Sequence, residues 1–380
     1  MAKKLSLCFV IAGSLLLASC GGGSKKQDDT PQTPDNDLKK ERIAGGVDSV
    51  RQRVYWAVER FGRIEKSRLQ NLPQHDFLKV FDEHGFLIEE FFYNAQNVEV
   101  NSRKITYTET FLPRTERIYR SGKLADKIVY TYDDDGRLSR KETFDANDKL
   151  KEKVEYVFLS ETEMDENIYR ADGTLGVKNK HLYDRNGRLM EKQKWWGWNV
   201  LSEKETYAYD RSGKLMAIAL ERFRNAELNS RTLFEEFTEF GDYTSKLDFD
   251  KDDHQIGKTS YTYDGLGNLT KVIPHTRTVE RVMVTAMALS MSEKGGLEEG
   301  DEEDYEDNTW GAAEEAWESD DANTDSYVEY ALTEWRHGVG YTYDYQFDGL
   351  NNWVSKVTYK VEGPDKITRQ FFYERVYSYR

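Results

Sequence analysis

The residues best able to do chemistry in this chain are its acids and its six histidines. Asp and Glu number 69 against 54 Lys and Arg. His75, His84, His181, His254, His275 and His337 stand apart in sequence. No two fall at the one-turn spacing that lets a helix offer paired imidazoles to zinc, and no His-Glu-x-x-His run occurs. A Gly-x-Ser-x-Gly elbow, a phosphate-cradling P-loop and a dinucleotide fingerprint are also absent from the sequence. Five aspartates recur in register: Asp82, Asp133, Asp184, Asp210 and Asp264. They could form a catalytic row, but turn formation accounts for their spacing. With so many carboxylates, a pair at glycosidase separation is always available somewhere. A glycoside hydrolase-like enzyme is therefore the third reading; neither a metal ligand set nor a cofactor is expected.

The aspartates belong to a repeat. "FDEHGFL" starts at Phe81, "YDDDGRL" at Tyr132, "YDRNGRL" at Tyr183, "YDRSGKL" at Tyr209 and "YDGLGNL" at Tyr263. A second aromatic residue follows twelve positions after three of these starts, at Tyr93, Phe144 and Trp195. Weaker copies start at Tyr107, Phe158 and Phe237, which gives a period of 25 to 28 residues with two turns in each. The motif's chemistry says how it folds. Asp at the first turn position accepts from a backbone N–H further along, and Gly three residues later takes the positive φ that closes a type I hairpin. The flanks alternate: Ile128, Tyr130 and Tyr132 lie on one side, Val129 and Thr131 on the other. Period two means strands with one buried face and one wet face. The chain reads as a long antiparallel meander. Residues 51–66 fit a helix, with Ser49 and Gln52 as a capping box, or a first strand; the alternation of Val54, Trp56 and Val58 favours the strand.

These units resemble the YD repeats, also called RHS repeats, of bacterial surface and toxin-delivery proteins. The resemblance covers residues 79–273 and returns in "FDGLNNW" from Phe347, with Tyr359 twelve residues later. It implies an all-β fold: an antiparallel meander of hairpin repeats forming a long curved single sheet or open shell. The Arg that follows the turn Gly in that family is present in two units only, as Arg137 and Arg188. No toxin domain or self-cleavage region is seen. The likeness is to short lipoproteins of the Bacteroidetes type, and it brings a fold rather than a function.

The two ends of the chain differ in kind. "MAKK" and the apolar run that follows read as an export signal over residues 1–19. "LASC" resembles the lipobox of bacterial lipoproteins, which implies lipidation at Cys20 and a membrane partner through that anchor. Cys8 leaves with the signal, so no thiol or disulfide chemistry is expected in the mature chain. Residues 20–48, rich in Gly, Pro, Asp and Lys, read as a flexible tether. "KKQDD" after Cys20 resembles the sorting signal of Bacteroidetes surface lipoproteins, which implies an outer-membrane lipoprotein facing the cell surface; a periplasmic face is the alternative.

The formal charge of −15 is concentrated in one place. Residues 292–327 hold fifteen Asp or Glu and one Lys. The rest nearly balances, so no basic face exists to hold nucleic acid. This acidic run lies within an insertion at 274–338, between the repeat domain (49–273) and the closing strands (339–380). It reads as a self-repelling loop, as a partner site anchored by Tyr305, Trp310 and Trp317, or as a calcium site lacking the usual Asp-x-Asp-x-Asp-Gly loop. The stretches that flank it could pair with each other as strands.

One stretch breaks the repeat. In "KWWGWNVL", from Lys194, Trp195 aligns with Phe144 and is expected in the core. Trp196 aligns with Asp145 and Trp198 with Asn147, so indoles replace turn residues. A hairpin cannot bury rings at its own tip, and exposed indoles on rigid turns suit sugar stacking or a partner's pocket. Trp196, Trp198 and Trp195 are thus the candidate ligand contacts. The whole reads as a non-catalytic recognition or scaffold module for a glycan or a surface protein, or else as a structural spacer without a ligand.

Overall fold

The computed structural model describes residues 35–70, 72, 74–285, 326–363 and 366–380. The export signal, Cys20 and nearly all of the acidic run lie outside the described residues.

Each repeat aspartate builds its turn with one oxygen. Asp133 Oδ1 accepts from the N–H of Asp135 (3.1 Å) and of Arg137 (2.8 Å). Asp82, Asp184, Asp210, Asp264 and Asp348 do the same with the residues two and four places on. Two backbone donors are thereby satisfied inside the turn, which is the turn-forming role expected of Asp. Gly136 sits at φ 75° in open space, so its requirement is backbone conformation alone. The weaker copies keep the geometry with a hydroxyl: Thr238 Oγ1 accepts from Phe240 and Asp242 N–H at 3.2 Å.

The strands between these turns form one antiparallel sheet. β1 (Val47–Arg60) and β2 (Arg63–Leu69) make the first hairpin, so residues 51–66 are strand and turn rather than helix. β3 (Phe77–Phe81) to β18 (Leu269–Thr276) follow as a meander in which each strand pairs with the next. β19 (Val279–Thr285) and β20 (Ser326–Leu332) pair only with each other, as the insertion's flanks were expected to. β21 (Arg336–His337), β22 (Gly340–Phe347), β23 (Trp353–Val361) and β24 (Ile367–Tyr379) complete the chain.

The expected open shell is replaced by a closed ring. β24 pairs with β1 over nine residue pairs, from Val47–Tyr379 to Trp56–Phe371. β1 pairs on its other side with β3, and β18 pairs with β22. Of the 22 strands in the sheet, β2 and β21 are short side pieces, and the other 20 form the barrel. Hairpin chemistry is local and says nothing about closure. The first strand supplies it by returning to the last and removing both free edges.

Closure gives each strand an inner and an outer side. Following the register around the ring puts Val50, Gln52, Val54, Phe77, Glu90, Arg103, Glu116, Ile128, Val154, Asn179, Thr232, Thr358 and Tyr373 on one side. Most buried residues are on this side, which is the inner wall. The outer wall carries Lys and Glu in pairs, such as Lys104–Glu89 (2.7 Å), Lys180–Glu163 (2.6 Å) and Lys178–Asp165 (2.6 Å). A lipid-facing band disfavours each Lys or Arg at its midplane by about 2–4 kcal/mol, so this wall is built for water. Among the described residues no helix is long and apolar enough to cross a membrane, a statement that leaves barrels aside.

The end assigned to the tether is partly folded. Residues 35–46 run along the rim that carries the Tyr-Asp turns, with a short helix, α1 (Asp37–Lys40), capped by Asn36. Leu38 and Ile43 join Val47, Val50, Phe77, Phe81 and Leu87 in the principal apolar cluster. Arg42 reaches Gly267 O and Asp242 Oδ2 at 2.6 Å each, and Asn352 Oδ1 accepts from Ala44 N–H at 2.7 Å. Leu38 and Ile43 are the only apolar residues of this size between Asp35 and Ala44, too few to give a periodic signal in the sequence.

Tyrosine hydroxyls join neighbouring hairpins. Tyr107, Tyr132, Tyr209 and Tyr263 donate to the carbonyls of Leu87, Pro113, Leu189 and Tyr243 at 2.8–3.2 Å. Each acceptor lies six residues after the start of the preceding unit. Tyr345 and Tyr377 do the same to Leu269 and Trp353. A Tyr at the repeat's aromatic position thus contributes an O–H as well as a ring, which Phe81, Phe158, Phe237 and Phe347 at the same position do not. Tyr132→Phe removes only that O–H and leaves a partly buried carbonyl unpaired, an expected loss of about 1 kcal/mol in urea unfolding. Gly136→Ala, where nothing obstructs a methyl group, is expected to cost about 1 kcal/mol through φ alone.

Candidate functional site

The break in the repeat lies on the rim away from the Tyr-Asp turns. β11 (Leu175–Tyr183), β12 (Leu189–Trp196) and β13 (Val200–Tyr209) are paired strands, and residues 197–199 form the turn between the last two. Gly197 takes φ 58° to make it. Trp196 pairs with Val177 and Val200 at the end of the inner wall, and Lys194 Nζ lies 5.5 Å from its ring centroid. Trp198 occupies the tip. The two indoles are 52% and 66% exposed. Trp195 departs from expectation. It pairs with Lys178 and Leu201 on the outer wall, half-buried, with Nε1 donating to Gln193 Oε1 at 3.1 Å. Phe144, with which it aligns, also faces outward, opposite Lys127. The aromatic at this repeat position therefore covers the outer wall and is not core. Among the described aromatic residues only Phe61, at the β1–β2 tip, matches Trp196 and Trp198 in being more than half exposed, and it lies on the same rim. The candidate contact reduces to the adjacent pair Trp196 and Trp198.

The histidines are placed in ways the sequence did not disclose. His275 and His337, 62 positions apart, meet across β18 and β21 with ring centroids 5.0 Å apart. His254 converges with Asp250 and Asp252, their ligand atoms within 4.8 Å of one another. Asp250 is a turn former there, accepting from the N–H of Asp252 and His254. His181 is buried beside Glu166 (3.6 Å), whose other partner is Asn179 Nδ2 at 2.7 Å.

A second candidate lies on the inner wall, where sequence reasoning saw nothing. Most inner charges there alternate in sign. Lys79 pairs with Glu41 of the rim segment and stands 3.7 Å from Glu90; Arg103 joins Glu90 (2.6 Å) to Glu116 (3.4 Å). Tyr130 O–H then donates to Glu116 at 3.2 Å. On β22–β24 the pattern changes. The register brings Tyr345, Lys356 and Tyr373 side by side. Lys356 Nζ lies 4.2 Å from the Tyr373 ring centroid, 5.4 Å from Trp353 and 5.7 Å from Tyr343. Arg375 stacks 3.9 Å over Trp353 and donates to Gln52 Oε1 at 2.9 Å. Among the described residues neither cation pairs with a carboxylate. Burial, with the charge of Arg375, pushes the Lys356 ammonium down to about 8. Beside them, Trp353, Arg375, Tyr345 and Tyr377 line a cleft of about 590 Å³ closed on one side by residues 40–44. Only the register, not the spacing along the chain, could have revealed this cluster.

A family model described only as an uncharacterised protein matches residues 113–240. No curated protein matches the chain. Among solved structures, a porin-like protein from Bacteroides uniformis ATCC 8492 is similar at 8% identity, with a TM-score of 0.27, over 76% of this chain and 98% of that one. The Photorhabdus luminescens Tc holotoxin pore is similar at 10% identity and a TM-score of 0.18, over 84% of this chain and 18% of that one. At these scores neither likeness bears on what the chain does.

Two outcomes are expected. In the Trp196→Ala/Trp198→Ala variant, iodide loses the most strongly quenched part of the fluorescence, while stability in urea stays within about 0.5 kcal/mol of the parent. Loss of several kcal/mol would instead mark the indoles as core. The second concerns pH. The unfolded Lys356 keeps its proton to about pH 10.4, and the folded one loses it above about 8, so the parent gains stability between those values. The gain is up to about 2 kcal/mol between pH 8 and 10, and unfolding of Lys356→Met over the same range lacks it.

Proposed function

We propose that this protein is a non-catalytic, lipid-anchored barrel of the outer cell surface that uses the Trp196–Trp198 hairpin to bind a glycan. The observation that carries the reading is the exposure of two indoles, one on each side of Gly197, at a hairpin tip where the repeat calls for polar turn residues. Indole faces match the apolar C–H faces of sugar rings, and aromatic anchors dominate recognition surfaces. Orientation supports it. The chain enters the barrel at Asp35 on the Tyr-Asp rim, where Asn36 donates to His84 O. Lipid at Cys20 would tether that rim. The indoles stand about 25–30 Å from that rim, one strand length away. The charged outer wall fits a barrel held beside a membrane rather than within it.

The absence of catalysis in this proposal rests on the cleft. Its two carboxylates, Glu41 and Asp242, are each held by a cation, Lys79 and Arg42. Neither is arranged as a free general acid. The short YD-repeat lipoproteins remain the family the motifs resemble, and they add no ligand.

Two measurements test the proposal. Palmitate labelling of cells should mark the parent and not Cys20→Ser, which should leave the membrane fraction. Screening the protein on envelope polysaccharides should give binding that Trp196→Ala/Trp198→Ala weakens about 30-fold, the effect of losing a residue worth 2 kcal/mol. Retention of a surface protein in place of polysaccharide would move the ligand class. Equal binding by parent and variant would move the glycan site off the indoles, and no binding by either would leave the barrel as a spacer.

A further inference from the structure

We propose that the recess built from Lys356, Arg375 and the aromatic residues packed around them binds a small oxyanion, a carboxylate or a phosphate, inside the barrel. The proposal is independent of the indole rim.

Charge balance is the first reason. Several inner-wall cations are neutralised in place, Lys79 and Arg103 with Glu90 and Lys246 with Asp248 (2.7 Å), whereas Lys141, Lys192 and Arg222 of that wall stand singly without an ion pair among the described residues. Lys356 and Arg375 stand together with no carboxylate partner among the described residues. Two like charges taken partly out of water are unfavourable unless a counter-charge joins them. The groups around them do not supply one. From the rim segment, Glu41 is held by Lys79, Lys40 by Asp37 and Arg42 by Asp242. From the loop before β3, His75 is kept neutral by lost hydration and by the charge of Lys356. The phenols of Tyr343, Tyr345 and Tyr373 are shifted upward by burial, so they stay un-ionised.

Donor geometry is the second reason. A lysine ammonium has three donors, and those of Lys356 meet only ring faces. Arg375 uses Nε on Gln52, while its guanidinium lies flat on Trp353 and lines the cleft. A planar guanidinium beside an ammonium is a pairing suited to a carboxylate or phosphate. The neighbouring cleft of about 590 Å³ is lined by Arg375, Trp353 and Tyr345 and not by Lys356, so it offers room for the rest of a molecule whose anionic group reaches Arg375 from that side. The depressed lysine adds a consequence: the site carries two positive charges at neutral pH and loses one of them, that of Lys356, just above it.

The test is calorimetric titration of the intact chain at constant ionic strength and pH 7 with sodium glucuronate, sodium phosphate and glucose. We expect saturable binding of at least one oxyanion and none of glucose. Preference for glucuronate would mark an acidic sugar, and preference for phosphate a phosphate group. Lys356→Met and Arg375→Gln should each weaken binding at least about tenfold, while Lys356→Arg, which keeps the charge, should stay within about threefold. Where glucuronate binds, its affinity should fall roughly tenfold from pH 7 to pH 9, as the charged fraction of a group titrating at about 8 does. Trp196→Ala/Trp198→Ala should leave this binding unchanged, so the two sites fail separately. Unfolding curves confirm that each variant is folded. No saturable binding of either oxyanion, or equal binding by Lys356→Met, overturns the proposal.

Discussion

The pairing of β1 with β24 is the contact on which the rest depends. Its nine residue pairs join the first strand to the last, across more than 300 positions of sequence. Without it, a meander of this length would end in two bare edges, each a template for another chain. With it, every strand gains two neighbours and the sheet acquires an inside. Val47, Val50 and Val54, almost wholly buried, lie on that first strand. The zipper is therefore also where the apolar cluster is densest. The ring is narrowest elsewhere: β18 meets β22 through two residue pairs, and β21 adds two more. The insertion leaves the barrel at that seam, which is where an interruption disturbs the fewest ladder bonds.

Closure turns repeat chemistry into geometry. Each Tyr-Asp unit supplies a turn at the same rim, because the aspartate fixes the turn and the period fixes the strand length. The tyrosine hydroxyls then tie each turn to the unit before it. Asp133 and Tyr132 are adjacent in sequence but act in opposite directions. One closes its own hairpin, and the other reaches back to Pro113. A local motif thus carries a long-range bond, and the two halves vary independently: Tyr107 keeps the hydroxyl beside Thr108, Phe81 and Phe347 keep the Asp turn without a hydroxyl, and Phe237 with Thr238 has replaced both.

What could be read from the sequence follows the range of each interaction. Turn positions were legible because Asp and Gly act within five residues. Strands were legible because alternation is local. The Trp196–Trp198 tip was legible because an alignment of repeats exposes substitutions at turn positions. The side on which Trp195 lies was not, since a one-residue difference in register sends a side chain to the opposite wall. Closure was not legible, because twist and stagger accumulate over 20 strands and no single hairpin contains them. The ordered rim segment was missed for a different reason. Its few apolar anchors, Leu38 and Ile43, acquire meaning only once Phe81 and Leu87 stand opposite them. Lys356 and Arg375 were invisible for the same reason, being 19 positions apart and brought together only by the β23–β24 ladder.

The two candidate sites share a logic. A repeat protein solves one packing problem many times, so each unit shows what the fold requires. Polar turn residues recur around the barrel and meet that requirement, and among the described residues no other two inner cations without a carboxylate partner share an aromatic ring as Lys356 and Arg375 share Trp353. Indoles at the β12–β13 tip and adjacent unpaired cations on β23 and β24 do not meet that requirement. Neither departure helps the fold: the first exposes apolar surface, and the second brings like charges together in a poorly hydrated place. Sequences that specify a structure well break their own rules mainly where something besides folding is at stake. The inner site shows this most sharply. Exchanging Lys356 for a neutral residue would remove one of two like charges held in a poorly hydrated place, at the loss of its ring contacts with Tyr373, Trp353 and Tyr343, contacts that soften the cost of the ammonium but leave its three donors without an acceptor.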